Sequence, residues 1–387
     1  MDFDILIVGA GLAGASLAAA LRGTHLRIGV IEARPPAPAG DWDARIYAIS
    51  PVNAAFLERI GAWEHLDHIR IAPVYDMQIH GDDGGRLDFS CYDSGLDELA
   101  WIVESGLMQR ELWESIKRQH NVKLLCPAVP ASLAREEDKA SIFLEDGRRL
   151  DARLIVGADG VQSWVRDKAG IEAHFSPYAE KGVVANFSCS KPHHGVARQW
   201  FRKDGILAWL PLPGNRISIV WSAPDAVADE LMALEPDLLA RRVAEAGGNQ
   251  LGVLEALGPA QAFPLRLMRV DDPVGARLAL IGDAAHAIHP LSGHGINLGY
   301  QDAMTLADKL AALPGWRDPG EIEVLRSYAR ARAEETALLQ YTTHGLNHLF
   351  RPTNPIVSGL RNLGMNLTNR IPVVRNALVR YAISGKF

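Results

Sequence analysis

The chain has 387 residues, 48% hydrophobic and 22% charged, a composition typical of a globular protein with roughly two or three domains. Its net charge of −6 argues against a nucleic-acid-binding protein. Three widely spaced cysteines, no apolar run of membrane-spanning length and no basic leader argue against a disulfide framework, a transmembrane helix and a signal peptide, so a cytoplasmic location is expected.

The first predicted element is a βαβ unit. A short apolar strand, Asp4–Val8, is followed by Gly9, Gly11 and Gly14, and a second β-rich run ends in Glu32. These glycines permit a tight turn, close approach of the backbone to a pyrophosphate and close packing of helix on strand. Phosphate is favoured at the helix N-terminus, and a carboxylate about 20 residues on binds ribose hydroxyls. The unit predicts dinucleotide binding without separating FAD from NAD.

The middle of the chain is rich in β-strand patterns. Hairpins are predicted over residues 77–89 and 205–222, and we expect them to form an antiparallel sheet. Trp200, Phe201 and Trp209 fit either an aromatic pocket or an ordinary sheet core, and the sequence leaves both open.

Two more strand–turn–helix segments follow. The strand that ends at Val156 leads into Asp159-Gly160, and this segment alone favours a simple Asp-Gly turn over a ligand-binding one. A later strand ends in Gly282-Asp283 and is followed by a glycine-rich stretch and a helix that begins near Asn297. There Asp283 could accept hydrogen bonds from a sugar or ribityl hydroxyl, and the helix N-terminus could face a developing anion on a ring.

In this order, the motifs GxGxxG, GADGxxSxVR and GDAAHxxxPxxGxGxN resemble those of the class A flavoprotein aromatic hydroxylases, the para-hydroxybenzoate hydroxylase type. The resemblance runs from about residue 3 to residue 335 and implies an FAD extended across the fold. The positions that it assigns to cofactor binding are Gly9, Gly11, Leu12, Ala13, Gly14, Glu32, Ala33, Arg34, Arg45, Gln109, Asp159, Gly160, Gly282, Asp283, Pro290, Gly293, Gly295, Ile296 and Asn297.

The late motif departs from the family at one position. His294 stands where the family usually has glutamine, which leaves its side-chain role open. Cofactor binding is still expected, because backbone amides do most of the work at that turn. His294 and His289 are candidates for proton handling near the flavin. No metal site is expected, because no histidine pair has a cysteine or carboxylate that completes a ligand set.

Shorter segments, such as residues 48–50, 101–105, 288–293 and 297–302, resemble the ubiquinone-biosynthesis hydroxylases of the UbiH/UbiF/VisC type. This implies hydroxylation of the aromatic ring of a polyprenyl phenol or quinol, with NAD(P)H as transient co-substrate and O2 activated at the flavin C4a position. The alternatives are a class A hydroxylase of another aromatic substrate and a non-catalytic FAD-bearing scaffold of a quinone-synthesis complex.

The expected fold class is α/β: a Rossmann-like FAD-binding domain with an inserted antiparallel β-sheet substrate domain and a C-terminal helical tail. We expect the FAD-binding domain over residues 1–72, 104–172 and 268–335, and the sheet domain over 73–103 and 173–267.

The tail, 336–387, carries six basic and no acidic residues among apolar ones. It fits an anionic membrane surface or an acidic partner such as a quinone-biosynthesis complex, but also a helix packed on its own domain. Peripheral binding at the inner face of the cytoplasmic membrane and homo-oligomer formation are left open.

Overall fold

The computed structural model describes residues 1–38, 40, 42–288, 295–350, 355–371, 373–376 and 378–379. The strands of this part of the chain are β1 (Phe3–Val8), β2 (Ile28–Ile31), β3 (Ile46–Ile49), β4 (Ala72–Val74), β5 (Asp76–His80), β6 (Arg86–Ser90), β7 (Ala100–Glu104), β8 (Val122–Leu125), β9 (Pro130–Arg135), β10 (Ala140–Leu144), β11 (Arg149–Gly157), β12 (Ala173–Cys189), β13 (Val196–Arg202), β14 (Gly205–Leu212), β15 (Arg216–Pro224), β16 (Leu254–Ala256), β17 (Gln261–Val270), β18 (Val274–Gly275), β19 (Leu278–Leu280) and β20 (His286–Ala287). The α-helices are α1 (Leu12–Ala20), α2 (Pro51–Arg59), α3 (Cys91–Ser94), α4 (Ser105–Lys117), α5 (Trp164–Lys168), α6 (Asp225–Ala233), α7 (Pro236–Ala246), α8 (Gly295–Ala311), α9 (Ile322–Phe350) and α10 (Pro355–Arg370).

The first sheet has a parallel centre in the order β19-β11-β1-β2-β8. Every residue of β1 is buried, as expected for a parallel strand covered on both faces. Helices α1, α4 and α8 contribute to the core on one face through side chains such as Leu17, Leu112 and Leu306. Because the strands are parallel, the residues that follow β1, β2, β11 and β19 meet at one edge, where ligands bind in such sheets.

The second sheet has nine strands and is mostly antiparallel, with the main order β20-β17-β12-β15-β14-β13-β5-β6. The two predicted hairpins are confirmed as β5–β6 and β14–β15. One face packs on α6 and α7 through residues such as Phe187, Trp209 and Trp221. Trp200 packs against the same core, so Trp200 and Trp209 are sheet-core residues. Phe201 instead stacks on Phe350 of α9, with ring centroids 3.8 Å apart.

A third, small sheet of order β3-β7-β4 lies against the second sheet. Its residues Val74 and Ile102 share a hydrophobic cluster with Ala197 and Leu212 of the large sheet. The segment 73–103 therefore supplies strands to both sheets. The domain boundaries given above stay a prediction.

The long helix α9 connects the two large sheets. Helix α9 begins in the core of the first sheet with Leu325 and Tyr328, reaches the second sheet through a bond from Gln340 Nε2 to the Met268 carbonyl (3.0 Å), and ends at Phe350. No helix within the described ranges is long and apolar enough to cross a membrane.

Helix α10 covers the outer edge of the large sheet. Its Asn362, Asn366 and Asn369 side chains each accept a backbone N–H bond of 2.9 Å, from Gly85, Arg86 and Asp88 respectively. Edge strands present unpaired N–H groups, and these asparagines satisfy them. The helix thus turns a polar face toward the protein.

Candidate functional site

The turn after β1 is closely packed against the end of β11. Gly9 has a φ of +101°, and a Cβ there would lie 2.5 Å from the Ala158 carbonyl oxygen. A Cβ on Gly14 would lie 2.0 Å from the Gly9 oxygen. A Cβ on Gly11 would meet no protein atom within 4 Å. Glycine is therefore required for packing at positions 9 and 14, whereas the space beside Gly11, at the N-terminus of α1, is open to a phosphate group.

Glu32 brings a carboxylate to the same turn. Its Oε2 accepts a 2.7 Å bond from the Ala10 N–H, and its Oε1 accepts a 3.2 Å bond from the Arg34 N–H. Ala33 and Arg34 are exposed beside it. The predicted ribose ligand thus lies next to the predicted phosphate-binding turn, as the βαβ pattern requires.

A second charged group contains Arg45, Tyr47 and Asp283. The Arg45 guanidinium lies 5.6 Å from the centre of the Tyr47 ring. Tyr47, and then Asp283, raise the pKa of Arg45 against the opposing effect of burial. Asp283 is open to solvent on one side and otherwise surrounded by protein, so burial raises the pKa of its carboxyl, which Arg45 opposes. The structure therefore brings together two predicted cofactor residues that are far apart in the chain.

Asp159 caps a helix. Its carboxylate accepts bonds from Ser163 Oγ (2.5 Å) and from the Val165 N–H (3.0 Å) at the start of α5, while burial raises the pKa of the group. Gly160 follows with a φ of +82°. Arg166 then donates a 3.0 Å bond to the Ala284 carbonyl, which ties this segment to the Gly282-Asp283 turn.

Asn297 holds the start of α8 against the β3–α2 junction. Its Oδ1 accepts bonds from the Ser50 N–H (3.0 Å) and Asn53 Nδ2 (2.8 Å), and its Nδ2 donates to the Ala48 carbonyl (2.7 Å). This places the backbone of Gly295 and Ile296 at the first turn of α8.

The remaining predicted residues are less informative. Gln109 is half-buried on α4, Leu12 is buried and Ala13 is half-buried on α1. His289, Pro290, Gly293 and His294 lie outside the described residues.

A buried ion-pair network centred on Asp302 is absent from the sequence-based predictions. His286 Nε2 lies 2.6 Å from Asp302 Oδ2, and Arg332 Nε donates to Asp302 Oδ1 at 2.8 Å. Burial alone would raise the pKa of Asp302 and lower that of His286, but their mutual contact shifts each pKa the other way. Asp302 lies four residues from both Leu298 and Leu306 on α8, and all three are buried; a carboxylate on an apolar helical face was the sequence signal for this network.

The described residues contain no group of histidine, cysteine and carboxylate side chains that could hold a metal ion. They do fit an elongated dinucleotide cofactor. The open N-terminus of α1 and the Glu32 carboxylate lie at one end of the sheet edge, and the Asp283 carboxylate lies with Arg45 at the other end.

Comparisons with known proteins support the same cofactor. Residues 129–339 match the family model described as "FAD binding domain", and residues 4–178 match the one described as "Lycopene cyclase protein". The chain is 33% identical to the ubiquinone hydroxylase UbiL of Rhodospirillum rubrum, over 98% of this chain and 89% of that protein. It is 31% identical to the 3-demethoxyubiquinol 3-hydroxylase of Escherichia coli, over 98% of both chains. Among solved structures, Pseudomonas aeruginosa PqsL in complex with 2-aminobenzoylacetate superimposes with a TM-score of 0.79 at 25% identity, over 93% of this chain and 99% of PqsL.

Proposed function

Since the chain belongs to the family of FAD-dependent ubiquinone-biosynthesis hydroxylases, we propose that it hydroxylates the aromatic ring of a polyprenyl phenol or quinol. In the balanced reaction, one oxygen atom of O2 enters the ring, the other leaves as water, and NAD(P)H supplies two electrons. The observation that carries the proposal is the meeting of the Gly11, Glu32 and Asp283 segments at one edge, in the order that an extended FAD needs.

The FAD, when bound, would supply the electron transfer and oxygen chemistry. The chain's residues would orient it: free amides at the start of α1 for the phosphates, Glu32 for a ribose and Asp283 for the ribityl hydroxyls. Arg45 keeps a positive charge next to Asp283. His289 and His294 stay candidates for proton handling, and no other side chain is assigned to catalysis.

The substrate ring would lie under the large sheet, on the face opposite α6 and α7. Asn186 on that face donates a 3.1 Å bond to the Asp43 carbonyl, two residues before Arg45. Val184 and Ile206 lie on the same face and are buried and apolar. Such a lining excludes water, which the oxygen chemistry requires.

We expect a polyprenyl phenol to stimulate NAD(P)H oxidation by the FAD-loaded enzyme and to gain one oxygen atom. The measurement is NAD(P)H absorbance, with mass spectrometry of the product formed under isotopically labelled O2. The same phenol without its isoprenoid chain is the control. Stimulation by small soluble phenols alone would indicate a hydroxylase with another substrate, and no stimulation by any phenol would indicate a scaffold.

We further propose that the outer face of α10 docks on the cytoplasmic side of a membrane, where a polyprenyl substrate resides. Leu360, Leu363 and Leu367 form one stripe on this helix and are 64%, 64% and 57% exposed. Arg361 and Arg375, by contrast, form ion pairs with Asp82 and Asp93. The outward surface of α10 is therefore mainly apolar, and the charges of Arg361 and Arg375 are used within the protein. Each leucine that enters lipid would contribute roughly 1.5–3 kcal/mol.

Changing Leu360, Leu363 and Leu367 together to glutamine should abolish binding to phospholipid vesicles, because the apolar stripe is lost while the asparagine face is kept. Vesicle sedimentation measures binding, and FAD content should stay at the wild-type level. The matched control is Leu238→Gln, at a leucine on α7 that is 50% exposed. Wild-type binding that disappears at high salt would contradict the apolar mode and indicate charge-driven attachment.

A further inference from the structure

We propose that Asp302 is a positioning residue for the cofactor: its buried carboxylate, held by Arg332, fixes both ends of the Gly282–His286 turn and thereby sets where Asp283 lies. This inference requires the FAD but not the polyprenyl substrate of the proposed function. The two can therefore fail independently.

One carboxylate holds the whole turn. Asp302 Oδ2 accepts a 2.9 Å bond from the Gly282 N–H and lies 2.6 Å from His286 Nε2, at the first and last residues of the turn. Its Oδ1 accepts the 2.8 Å bond from Arg332 Nε. Asp302 is 1% exposed, and its two cationic partners are also buried. Any movement of this carboxylate would therefore move Asp283, which lies between the two attachment points.

The turn is also in contact with the phosphate-binding helix. Gly282 has a φ of +59°, and a Cβ there would lie 3.1 Å from the Ala13 Cβ on α1 and 3.8 Å from Gly299 Cα on α8. The two predicted contact points of the cofactor, the start of α1 and Asp283, are thus held at a set separation by packing on one side and by Asp302 on the other. Pre-set geometry of this kind lowers the cost of binding.

Arg332 anchors the carboxylate from a third element. It lies on α9, donates through Nη2 to Gln301 Oε1 at 3.2 Å, and forms an ion pair with Glu335 through Nη1. A buried carboxylate with two buried cations is stable as a set, and removing the central charge leaves His286 without its contacting carboxylate and Arg332 with Glu335 alone as its carboxylate partner within the described residues. The network therefore favours one position of the turn over others.

Asp302→Asn tests the role with little change in shape. Donors approach both oxygens of Asp302, so the amide NH2 of asparagine would face at least one of them, and the turn must shift. We expect the dissociation constant for FAD, measured by fluorescence titration of the apoprotein, to rise at least tenfold. The vibrational structure of the bound flavin's visible absorption band should also change.

The matched control is Asp82→Asn, which also neutralises a carboxylate paired with an arginine, but at the contact between α10 and the sheet edge. We expect this control to lower stability and to leave the FAD dissociation constant and spectrum unchanged. If Asp302→Asn also showed only lower stability, with wild-type FAD affinity and spectrum, Asp302 would be a purely structural residue and the inference would be wrong.

His286→Gln keeps the inference testable should Asp302→Asn not fold, since it removes one contact of three. Burial by itself would lower the pKa of His286, but the contact with Asp302, helped by Asp283 and opposed by Arg332, raises this pKa in the folded chain. Arg269 on β17 pairs with His286 through the backbone, but its guanidinium lies over the Tyr341 ring. The imidazolium is therefore present below the raised pKa and lost as pH rises through it. FAD affinity should fall across that range in the wild type and be flat in His286→Gln; an identical pH profile would contradict the inference.

Discussion

Gly14→Ala should reduce the affinity for FAD at least 100-fold, which corresponds to about 2.8 kcal/mol. The added Cβ would lie 2.0 Å from the Gly9 carbonyl oxygen and 3.0 Å from the Ala158 Cβ. The closest of these is a backbone atom in the turn itself, so the clash cannot be relieved by a side-chain rotation. Helix α1 would have to move away from β1, and its N-terminal amides would leave the phosphate position.

Fluorescence titration of the apoprotein with FAD measures this effect, and circular dichroism shows whether the fold persists. Gly23→Ala is the matched control, because it lies just after the same helix and a Cβ there would meet nothing within 4 Å. It should bind FAD as the wild type does. A wild-type dissociation constant for Gly14→Ala would mean that the close contact between helix and turn is not needed for cofactor binding.

Arg361→Met should undock α10 from the sheet edge, with a loss of about 3 kcal/mol, near the lower end of the range for breaking a buried ion pair. The Arg361 side chain is 2% exposed and that of Asp82 is 12% exposed. Without the guanidinium, the partners left to Asp82 among the described residues are Ser358 Oγ (3.0 Å) and Asn362 Nδ2 (2.9 Å). The backbone N–H groups of Gly85, Arg86 and Asp88, now covered by α10, should exchange with solvent about 100-fold faster.

Hydrogen exchange read by mass spectrometry checks this, and Arg86→Met is the control. Arg86 also pairs with an aspartate, but its side chain is 52% exposed, so its loss should change exchange by less than about tenfold. Unchanged protection of the three amides in Arg361→Met would show that the asparagine contacts alone hold the helix.

The same ion pair gives α10 docking a pH dependence. Although burial opposes the shift, hydrogen bonds, chiefly from Arg361, lower the pKa of Asp82 from 3.8 to about 2. A carboxyl whose pKa is lowered in the folded chain stabilises that chain fully at pH values above its ordinary pKa. This stabilisation is lost as the pH falls toward the lowered pKa. Docking of α10 should therefore weaken between about pH 4 and pH 2 in the wild type, and this loss should be much smaller in Arg361→Met.

Local chain patterns determined the cofactor-binding half of this protein. The apolar run before Gly9, the glycine spacing and the terminal Glu32 are all short-range features, and parallel strands bring their ends to one edge of a sheet by geometry alone. The turns at Asp159 and Asp283 follow strands in the same way. The position of these residues at one edge of the sheet therefore follows from the sequence without knowledge of any tertiary contact.

The partners of the charged side chains were decided only by the tertiary structure. Arg361 binds Asp82 from 279 positions away, and Arg332 binds Asp302 from 30 positions away on a different helix. Composition showed that the tail is basic, but not that Arg361 and Arg375 face inward and leave leucines outside. Whether a charged side chain is buried and paired depends on long-range packing. Burying a charge is favourable only where an opposite charge lies within hydrogen-bond reach. The spacing of residues along the sequence does not give the distance between two such side chains in the folded chain.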